Sequence, residues 1–363
     1  MSIPFQIHGI DHIFCIVGNA KQTAYFYQTL FGFEPFAYRG LETGDKKEAS
    51  YALKQNKITL VFTSPLSEQS KLNNHIQVHG DAVKSIALLV DDAGEAYDYA
   101  LENGAISVQE PVLIPDDFGV VTVGTIELCG DTVLTFLERH KYEGIFLPGY
   151  KPFQSHRSIQ PIGLTEIDHI VVNLPQGHME RIAKLFEQKL GFHRFWSADN
   201  TEICTEYTAL NTVALTDENE RVKFVLNQPA ECMRISQVEE YLKYYSGPGV
   251  QHIAFETQDI IKSATQLLKN GVEFLQVTDD YYEKLAKRMP DLDEKFEELK
   301  RLNILVDKVE SGYLFQVFTK PVQDRPTLFF ELIQRKNAQS FGKGNIKALF
   351  EAIEREQEKR KTL

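Results

Sequence analysis

The sequence predicts an α+β fold made of two homologous domains. Three observations carry this prediction: the length of 363 residues, a short motif that occurs in both halves, and apolar stretches that follow each copy in the same order. A chain of this length is typical of about two domains of ~150 residues each. The composition, 43% hydrophobic and 25% charged, is that of a chain that folds around an apolar core.

The tetrapeptide Ile-Asp-His-Ile lies near the start of each half, in GIDHIFC (9–15) and EIDHIVV (166–172). A helix-like segment follows each copy, at 23–36 and 182–195, and the glycine near its end predicts a left-handed turn. Three further pairs match in the same order: 80–92 with 247–259, 96–105 with 264–274, and 132–141 with 327–336. Each half is therefore expected to form a strand, a helix and further strands, twice over.

A stretch rich in Pro, Gly and polar residues, 137–164, is typical of a connection between domains. We therefore expect an N-terminal domain at 1–150 and a C-terminal domain at 151–363.

Charge and cysteine usage exclude several classes of protein. The net charge of −12 and the pI near 5.4 argue against a nucleic-acid partner, because polyanions would be repelled. The start of the chain does not show the basic and then apolar pattern of a secretory signal, and no apolar run is long enough to span a bilayer. The four cysteines are scattered, which favours free thiols in a reducing compartment. We expect a cytoplasmic protein without a membrane partner.

Three residues of the second half are candidate metal ligands: His169, His252 and Glu331. Each lies within an apolar strand, where a carboxylate is costly unless it is paired or binds a metal. Two histidines with one carboxylate form the facial triad of non-haem Fe(II) oxygenases, which leaves positions open for substrate and O₂. Strict alternation along the strands predicts three sets of residues that share a face, namely Ile167/His169/Val171, Val250/His252/Ala254 and Phe329/Glu331/Ile333.

The first half has His12, Ser85 and Thr135 at the matching positions, so it lacks two of the three candidate ligands. A single histidine on an apolar strand is more often a core residue than a ligand. We therefore expect a metal site in the C-terminal domain and only a structural role for His12.

Long motifs of the second half, at 192–210, 247–261, 271–285, 302–335 and 341–360, closely resemble the 4-hydroxyphenylpyruvate dioxygenase family. The resemblance covers essentially the whole chain. It implies two vicinal-oxygen-chelate domains, of the kind found in glyoxalase and bleomycin-resistance proteins, each built from βαβββ modules that form an open barrel. It also implies a C-terminal lid helix.

The resemblance implies an Fe(II) enzyme whose metal is held by His169, His252 and Glu331. The substrates would be 4-hydroxyphenylpyruvate, which chelates the iron through its carboxylate and keto oxygens, and O₂. Oxidative decarboxylation and hydroxylation would give homogentisate and CO₂ in tyrosine and phenylalanine degradation. Members of the family are commonly homo-oligomers, so we expect one here.

Further site residues follow from the resemblance, position by position. Catalytic amides are expected at Asn227, Gln237, Gln251 and Gln316. Substrate-binding residues are expected at Thr212, Phe318, Phe329, Asn345, Ile346 and Phe350. Several buried amides in one barrel favour a polar ligand, because an unpaired one costs about 1–3 kcal/mol.

One lid position departs from the family pattern. The family usually has phenylalanine after Gly-Asn, where this chain has Ile346, and the related 4-hydroxymandelate synthases have an aliphatic residue there. Those enzymes share the substrate and hydroxylate its benzylic carbon, so 4-hydroxymandelate is an alternative product. Asn227, in contrast, follows the dioxygenase pattern, while Thr212 and Val225 replace the usual serine and proline.

Two hypotheses from other classes also remain. A binding module would sequester a ligand without metal, and an extradiol ring-cleaving dioxygenase would use a similar triad on catechols.

Overall fold

The computed structural model of the protein describes residues 3–155, 160–202, 204–205, 207–290, 292, 296–309 and 312–362. The first half contains β1 (Ile7–Ile16), α1 (Ala20–Phe31), β2 (Glu34–Arg39), β3 (Glu48–Gln55), β4 (Ile58–Pro65), α2 (Leu72–His79), β5 (Ala82–Val90), α3 (Ala93–Glu102), β6 (Ser107–Asp116), β7 (Gly119–Cys129) and β8 (Thr132–Glu138). A short strand, β9 (Lys151–Pro152), follows.

The second half contains β10 (Leu164–Asn173), α4 (Met179–Lys189), β11 (His193–Ala198), β12 (Leu210–Thr216), β13 (Lys223–Pro229), α5 (Gln237–Tyr245), β14 (Gly249–Thr257) and α6 (Ile260–Asn270). It continues with α7 (Asp279–Arg288), α8 (Phe296–Arg301), β15 (Leu305–Val309), β16 (Gly312–Phe318), β17 (Phe329–Lys336) and α9 (Lys343–Arg360).

The two halves form two mixed sheets with the same strand order. The first runs β6-β7-β8-β5-β1-β4-β3-β2-β9, and the second, read from its other end, runs β15-β16-β17-β14-β10-β13-β12-β11. The parallel pairs also correspond, since β1 with β4 and β5 with β8 match β10 with β13 and β14 with β17. The predicted α+β fold of two homologous halves, each with two βαβββ modules, is confirmed.

The predicted glycine turns lie at the ends of helices. Gly32 caps α1 with φ 70°, and Gly191, two residues after the end of α4, has φ 69°. A side chain costs energy at such a positive φ, so glycine at these points ends the helix and redirects the chain into the sheet.

The halves share one apolar core, in which helices of one half pack against strands of the other. The rings of Tyr27 and Phe31 on α1 both contact Phe330 of β17, with centroids 5.6 and 5.3 Å from it. Strand β9 pairs with β2, so the first sheet includes Lys151–Pro152, two residues past the predicted boundary. The division at residue 150 remains a prediction.

Two β-bulges change the predicted alternation of faces. The β10–β14 register is interrupted between Ile167 and His169, so Asp168 is the extra residue of the bulge, and again at Val171/Val172. At the second bulge Gln251 and His252 both face the cavity described below, while Val250 packs into the shared core. Ile167 likewise packs against the shared core. The prediction that Ile167 and Val250 share the ligand face was wrong, because one inserted residue shifts a strand's side chains to the other face.

Across the part of the chain that the structure describes, no helix combines the length and the apolar character needed to cross a membrane.

Candidate active site

The three predicted ligands lie on three adjacent strands in the middle of the second sheet: His169 on β10, His252 on β14 and Glu331 on β17. Oε2 of Glu331 lies 3.3 Å from Nε2 of His169 and also 3.3 Å from Nε2 of His252. All three side chains are buried. The structure therefore brings residues that are far apart in the sequence to one point.

The hydrogen bonds of the two histidines leave the converging nitrogens free to bind a cation. Nδ1 of His169 lies 2.7 Å from Oδ1 of Asp168, and Nδ1 of His252 lies 3.0 Å from Oε1 of Gln251. Since both neighbours are acceptors, each Nδ1 carries the hydrogen, and each Nε2 offers its lone pair. Two imidazole nitrogens and one carboxylate oxygen at this spacing are the donor set of a divalent transition metal. The residues present fit a metal ion.

In the metal-free site a proton competes with a metal ion for His169. Burial would lower the pKa of His169, but Glu331 and Asp168 outweigh it and raise the pKa, so a bound metal ion would replace this proton. Burial alone would raise the pKa of Glu331, but His169 and His252 outweigh it and lower the pKa to about 2, so the carboxylate is ionised. For His252, burial outweighs the attraction of Glu331 and lowers the pKa, which favours a neutral imidazole.

An ion pair that was not predicted from the sequence supports His169. Arg335 donates from Nε to Oδ2 of Asp168 at 2.7 Å and from one terminal nitrogen to Oδ1 at 2.9 Å. Burial by itself would raise the pKa of Asp168, but Arg335 and His169 hold it well below its usual value. The signal was present in the repeat, because both copies of Ile-Asp-His-Ile carry the aspartate.

The first half has the same aspartate and arginine beside its histidine, but it lacks the other two candidate metal ligands. Asp11 lies 2.7 Å from Nδ1 of His12 and accepts a hydrogen bond from Arg139, as Asp168 does from Arg335. At the other two ligand positions, the hydroxyls of Ser85 and Thr135 lie 2.7 Å apart. His12 is thus a buried, hydrogen-bonded histidine, as the sequence predicted.

Amide side chains support the other two ligands. Gln251 accepts from His252 and donates to Gln237 at 3.1 Å. Gln316 donates to Oε1 of Glu331 at 2.8 Å, and Asn345 in turn donates to Gln316 at 2.8 Å. These amides therefore fix the orientation of the metal ligands.

The candidate ligands line a cavity with about 50 Å³ accessible to water, and residues of α9 form part of its wall. The predicted residues on its wall are His169, Thr212, Asn227, Gln237, Gln251, His252, Gln316, Phe318, Glu331, Ile346 and Phe350. Two predicted residues do not contribute to this wall. Phe329 stacks on the ring of His252 with centroids 4.7 Å apart, and Asn345 lies behind Gln316. Direct substrate contact by these two remains a prediction.

Other wall residues were not predicted from the sequence, chiefly Trp196, Phe341 and Leu349. The ring of Phe341 lies edge-on to His169, with centroids 4.8 Å apart, and 5.7 Å from that of Trp196. The only hint in the sequence was the position of Phe341 directly before the glycine-rich start of the lid.

Helix α9 closes the cavity and is fastened along its length. At its start the backbone N–H of Gly344 donates to Oδ2 of Asp307 at 2.8 Å. A Cβ at the preceding Gly342 would lie 2.6 Å from the Asp307 side chain, so glycine is required for this approach. Near its end Arg360 donates twice to the buried Glu240, at 3.1 and 2.7 Å.

A sequence model of the Glyoxalase/Bleomycin resistance protein/Dioxygenase superfamily matches residues 9–122 and 166–306, one segment in each half. The chain is 46% identical to 4-hydroxyphenylpyruvate dioxygenase of Dictyostelium discoideum, over 98% of this chain and 100% of that protein. It is 44% identical to the protein of the same name from Yarrowia lipolytica, over 98% and 93% of the two chains.

The chain belongs to the 4-hydroxyphenylpyruvate dioxygenase family.

Among solved structures, the fold of this family member is similar to that of a triple mutant of 4-hydroxymandelate synthase from Streptomyces coelicolor. The TM-score is 0.87 at 29% identity, over 97% of this chain and 99% of the other. The identity to this synthase is lower than the identity to the dioxygenases, so the dioxygenases are the better guide to the chain's chemistry.

Proposed function

We propose that this chain is a 4-hydroxyphenylpyruvate dioxygenase, which uses Fe(II) and O₂ to convert 4-hydroxyphenylpyruvate into homogentisate and CO₂. One observation carries the proposal. In a member of this family, His169, His252 and Glu331 converge on the wall of one cavity, with Oε2 of Glu331 3.3 Å from both histidine Nε2 atoms.

The donor set supports iron. Two neutral imidazoles and one carboxylate hold Fe(II) on one face and leave positions open, whereas structural zinc sites fill all four with protein ligands. When bound, Fe(II) would be chelated by the 2-oxo acid and would activate O₂.

The chain's own contribution to metal binding is orientation. Asp168, Gln251 and Gln316 each bond one of the three ligands and hold its converging atom in place. Such supporting hydrogen bonds typically contribute 10–100-fold to metal affinity or activity.

The cavity wall supports an aromatic substrate with polar ends. Thr212 and Asn227 lie opposite each other on β12 and β13, and both side chains face the cavity. We infer that they bind a polar end of the substrate. Phe318, Ile346 and Phe350 provide an apolar surface for its ring.

The lid must open for substrate to enter. The space of about 50 Å³ that is open to water holds only a few molecules, far less than an aromatic oxo acid requires. We infer that the start of α9 moves away and then closes over the bound substrate. Closure keeps water from the reactive site.

The test supplies the purified chain with Fe(II), ascorbate, O₂ and 4-hydroxyphenylpyruvate and separates the products by chromatography. Mass alone does not suffice, because homogentisate and 4-hydroxymandelate are isomers. We expect homogentisate with Fe(II), none with Zn²⁺, and a loss of at least 1,000-fold in Glu331→Ala. Turnover that survives this substitution would overturn the proposed site, and ring cleavage of a catechol would favour an extradiol dioxygenase. Full-affinity binding of the oxo acid without metal and without turnover would favour a binding module.

A second candidate activity, 4-hydroxymandelate synthesis, is favoured by Ile346. This side chain is part of the cavity wall and packs near Trp196 and Phe341, where an aliphatic residue constrains a ring less than an aromatic one. The role of Ile346 is tested by comparing the products formed by the wild type, by Ile346→Phe and by the control Ile346→Leu. Hydroxymandelate from the wild type that changes to homogentisate only in Ile346→Phe would establish the second activity.

We also propose a cytoplasmic homo-oligomer without nucleic-acid or membrane partners. The free state of all four cysteines supports a reducing compartment, and the acidic charge argues against polyanions. The edge strand β6 supports an oligomer, because it and the following turn expose Val108, Leu113 and Phe118. Light scattering on the purified chain tests the oligomeric state.

A further inference from the structure

A second group of metal-binding side chains lies outside the active site, where α2 of the first half meets α5 of the second. His75 and His79 are four residues apart on α2 and therefore share one face of the helix. Asp131 approaches them from the turn between β7 and β8. One ligand atom from each residue lies within 4.8 Å of the other two.

The hydrogen bonds of His79 leave one nitrogen in need of a cation. Its Nδ1 lies 2.6 Å from the carbonyl oxygen of Tyr245, which only accepts, so Nδ1 carries the hydrogen. Its Nε2 lies 2.8 Å from Oδ2 of Asp131. In a neutral imidazole this nitrogen is an acceptor and would face another acceptor. A second proton or a metal ion between the two atoms removes the conflict.

His75 distinguishes these two possibilities. It is only 5% exposed, and among the described residues neither of its ring nitrogens has a hydrogen-bond partner. Its ring centroid lies 4.7 Å from that of His79. A proton on His79 would satisfy Asp131 and leave both nitrogens of His75 unpaired at a cost, whereas one metal ion would bind a nitrogen of His75 together with His79 and Asp131.

We propose that His75, His79 and Asp131 form a second metal site, for Zn²⁺ or a closely similar divalent ion. Two imidazoles and a carboxylate, with water at a fourth position, are a common zinc donor set. Ligands about 2.1 Å from a tetrahedral ion lie about 3.4 Å apart. Binding therefore requires Nε2 of His79 and Oδ2 of Asp131, now 2.8 Å apart, to separate slightly, while a nitrogen of His75 moves closer to them. Rotation of the unpaired His75 ring provides this movement.

The protonation states support the proposal. Burial, with further contributions from His79 and Lys84, lowers the pKa of His75 to about 4, so its ring is neutral and able to bind metal at pH 7. Lys84 opposes the ion, because its ammonium donates to the backbone carbonyl of Asp131.

The site would fasten the two halves together. The ring of His79 stacks on Tyr245 of α5 with centroids 4.3 Å apart, and Arg325 of the second half donates to the carbonyl of Val78 at 2.7 Å. Helix α5 begins at Gln237 on the cavity wall. An ion at this junction would therefore stabilise the helix from which Gln237 supports the active site, whatever reaction that site performs.

The experiment titrates Zn²⁺ into metal-free protein in which His169→Ala and His252→Ala have removed the active-site ligands. We expect one equivalent to bind and to raise Tm by several degrees. His75→Phe in this background should lose the binding by at least about 100-fold, while the exposed His193→Gln should not change it. Lys84→Met should tighten it, because a competing positive charge is removed.

Two results would contradict the proposal. If Zn²⁺ does not bind the active-site double variant, or binds equally well after His75→Phe, the proposal is wrong. In that case His75→Phe should raise Tm without regard to metal, since it removes unpaired buried nitrogens. If the double variant does not fold, the number of Zn²⁺ equivalents bound by the wild type is measured instead. Two equivalents would support the second site, and one equivalent would contradict it.

Discussion

Oδ1 of Asp168 lies 2.7 Å from Nδ1 of His169, and the first half repeats this pair in Asp11 and His12 at the same distance. Only the second pair stands beside other metal ligands. The duplicated pairs therefore allow the same substitution to be made with and without a metal ligand to orient, which separates the effect on metal binding from the effect on the fold.

Asp168→Asn should weaken metal binding about 10–100-fold, because the neutral amide no longer fixes the charge and orientation of His169. Isothermal titration of metal-free protein with Fe(II) under anaerobic conditions measures this. Asp11→Asn is the matched control and should leave the affinity unchanged. Equal losses in both variants would mean that the aspartate acts through the fold and not through the ligand.

Asn345→Leu should lower metal affinity and turnover together, since Gln316 then loses the hydrogen bond that directs its amide to Glu331. We expect a loss of about 10-fold or more in each. Lys347→Ala, at an exposed position of the same helix, is the control. A higher KM with unchanged metal affinity would instead show that Asn345 contacts substrate, as the family resemblance implied.

Arg360→Gln should loosen the end of the lid. The substitution removes the two hydrogen bonds that Arg360 donates to the buried carboxylate of Glu240. We expect this loss to lower the free energy of unfolding by about 1–3 kcal/mol. A lid that opens more often should also let O₂ be consumed without product, so the ratio of O₂ used to product formed should rise. Lys359→Gln, on the exposed side of the helix, should change neither quantity.

Asp11→Asn should lower stability in a pH-dependent way. Burial opposes ionisation of Asp11, but His12 and Arg139 outweigh it and lower its pKa below the ordinary value. The stabilisation is therefore fully present above pH ~4 and is lost as pH falls through the lower folded-state pKa. Urea titration should give a free energy of unfolding about 1.5–3 kcal/mol higher for the wild type than for the variant at pH 7. This difference should become smaller below pH ~4. The exposed Asp117→Asn should show little difference at either pH.

The sequence alone determined the doubled fold, the glycine turns at Gly32 and Gly191, and the choice of His169, His252 and Glu331 as candidate metal ligands. These features depend on local patterns and on comparison of the two halves: a glycine needed at positive φ, an apolar run, and a polar residue in one copy that the other copy lacks. The family resemblance predicted most of the residues of the cavity wall. Residues can be matched to a family motif by their position in the sequence, without knowledge of their contacts.

Only the tertiary structure decided how the site is supported. Asp168 and Arg335 are 167 positions apart, and nothing in the local pattern of either residue predicts their pairing. The bulge that turns both Gln251 and His252 towards the cavity, and excludes Val250, depends on the register between two strands. Likewise Asn345 lies behind Gln316, because α9 docks on β16 at that point. Register and docking are set by packing between distant segments, where a shift of one residue reverses the face of a side chain.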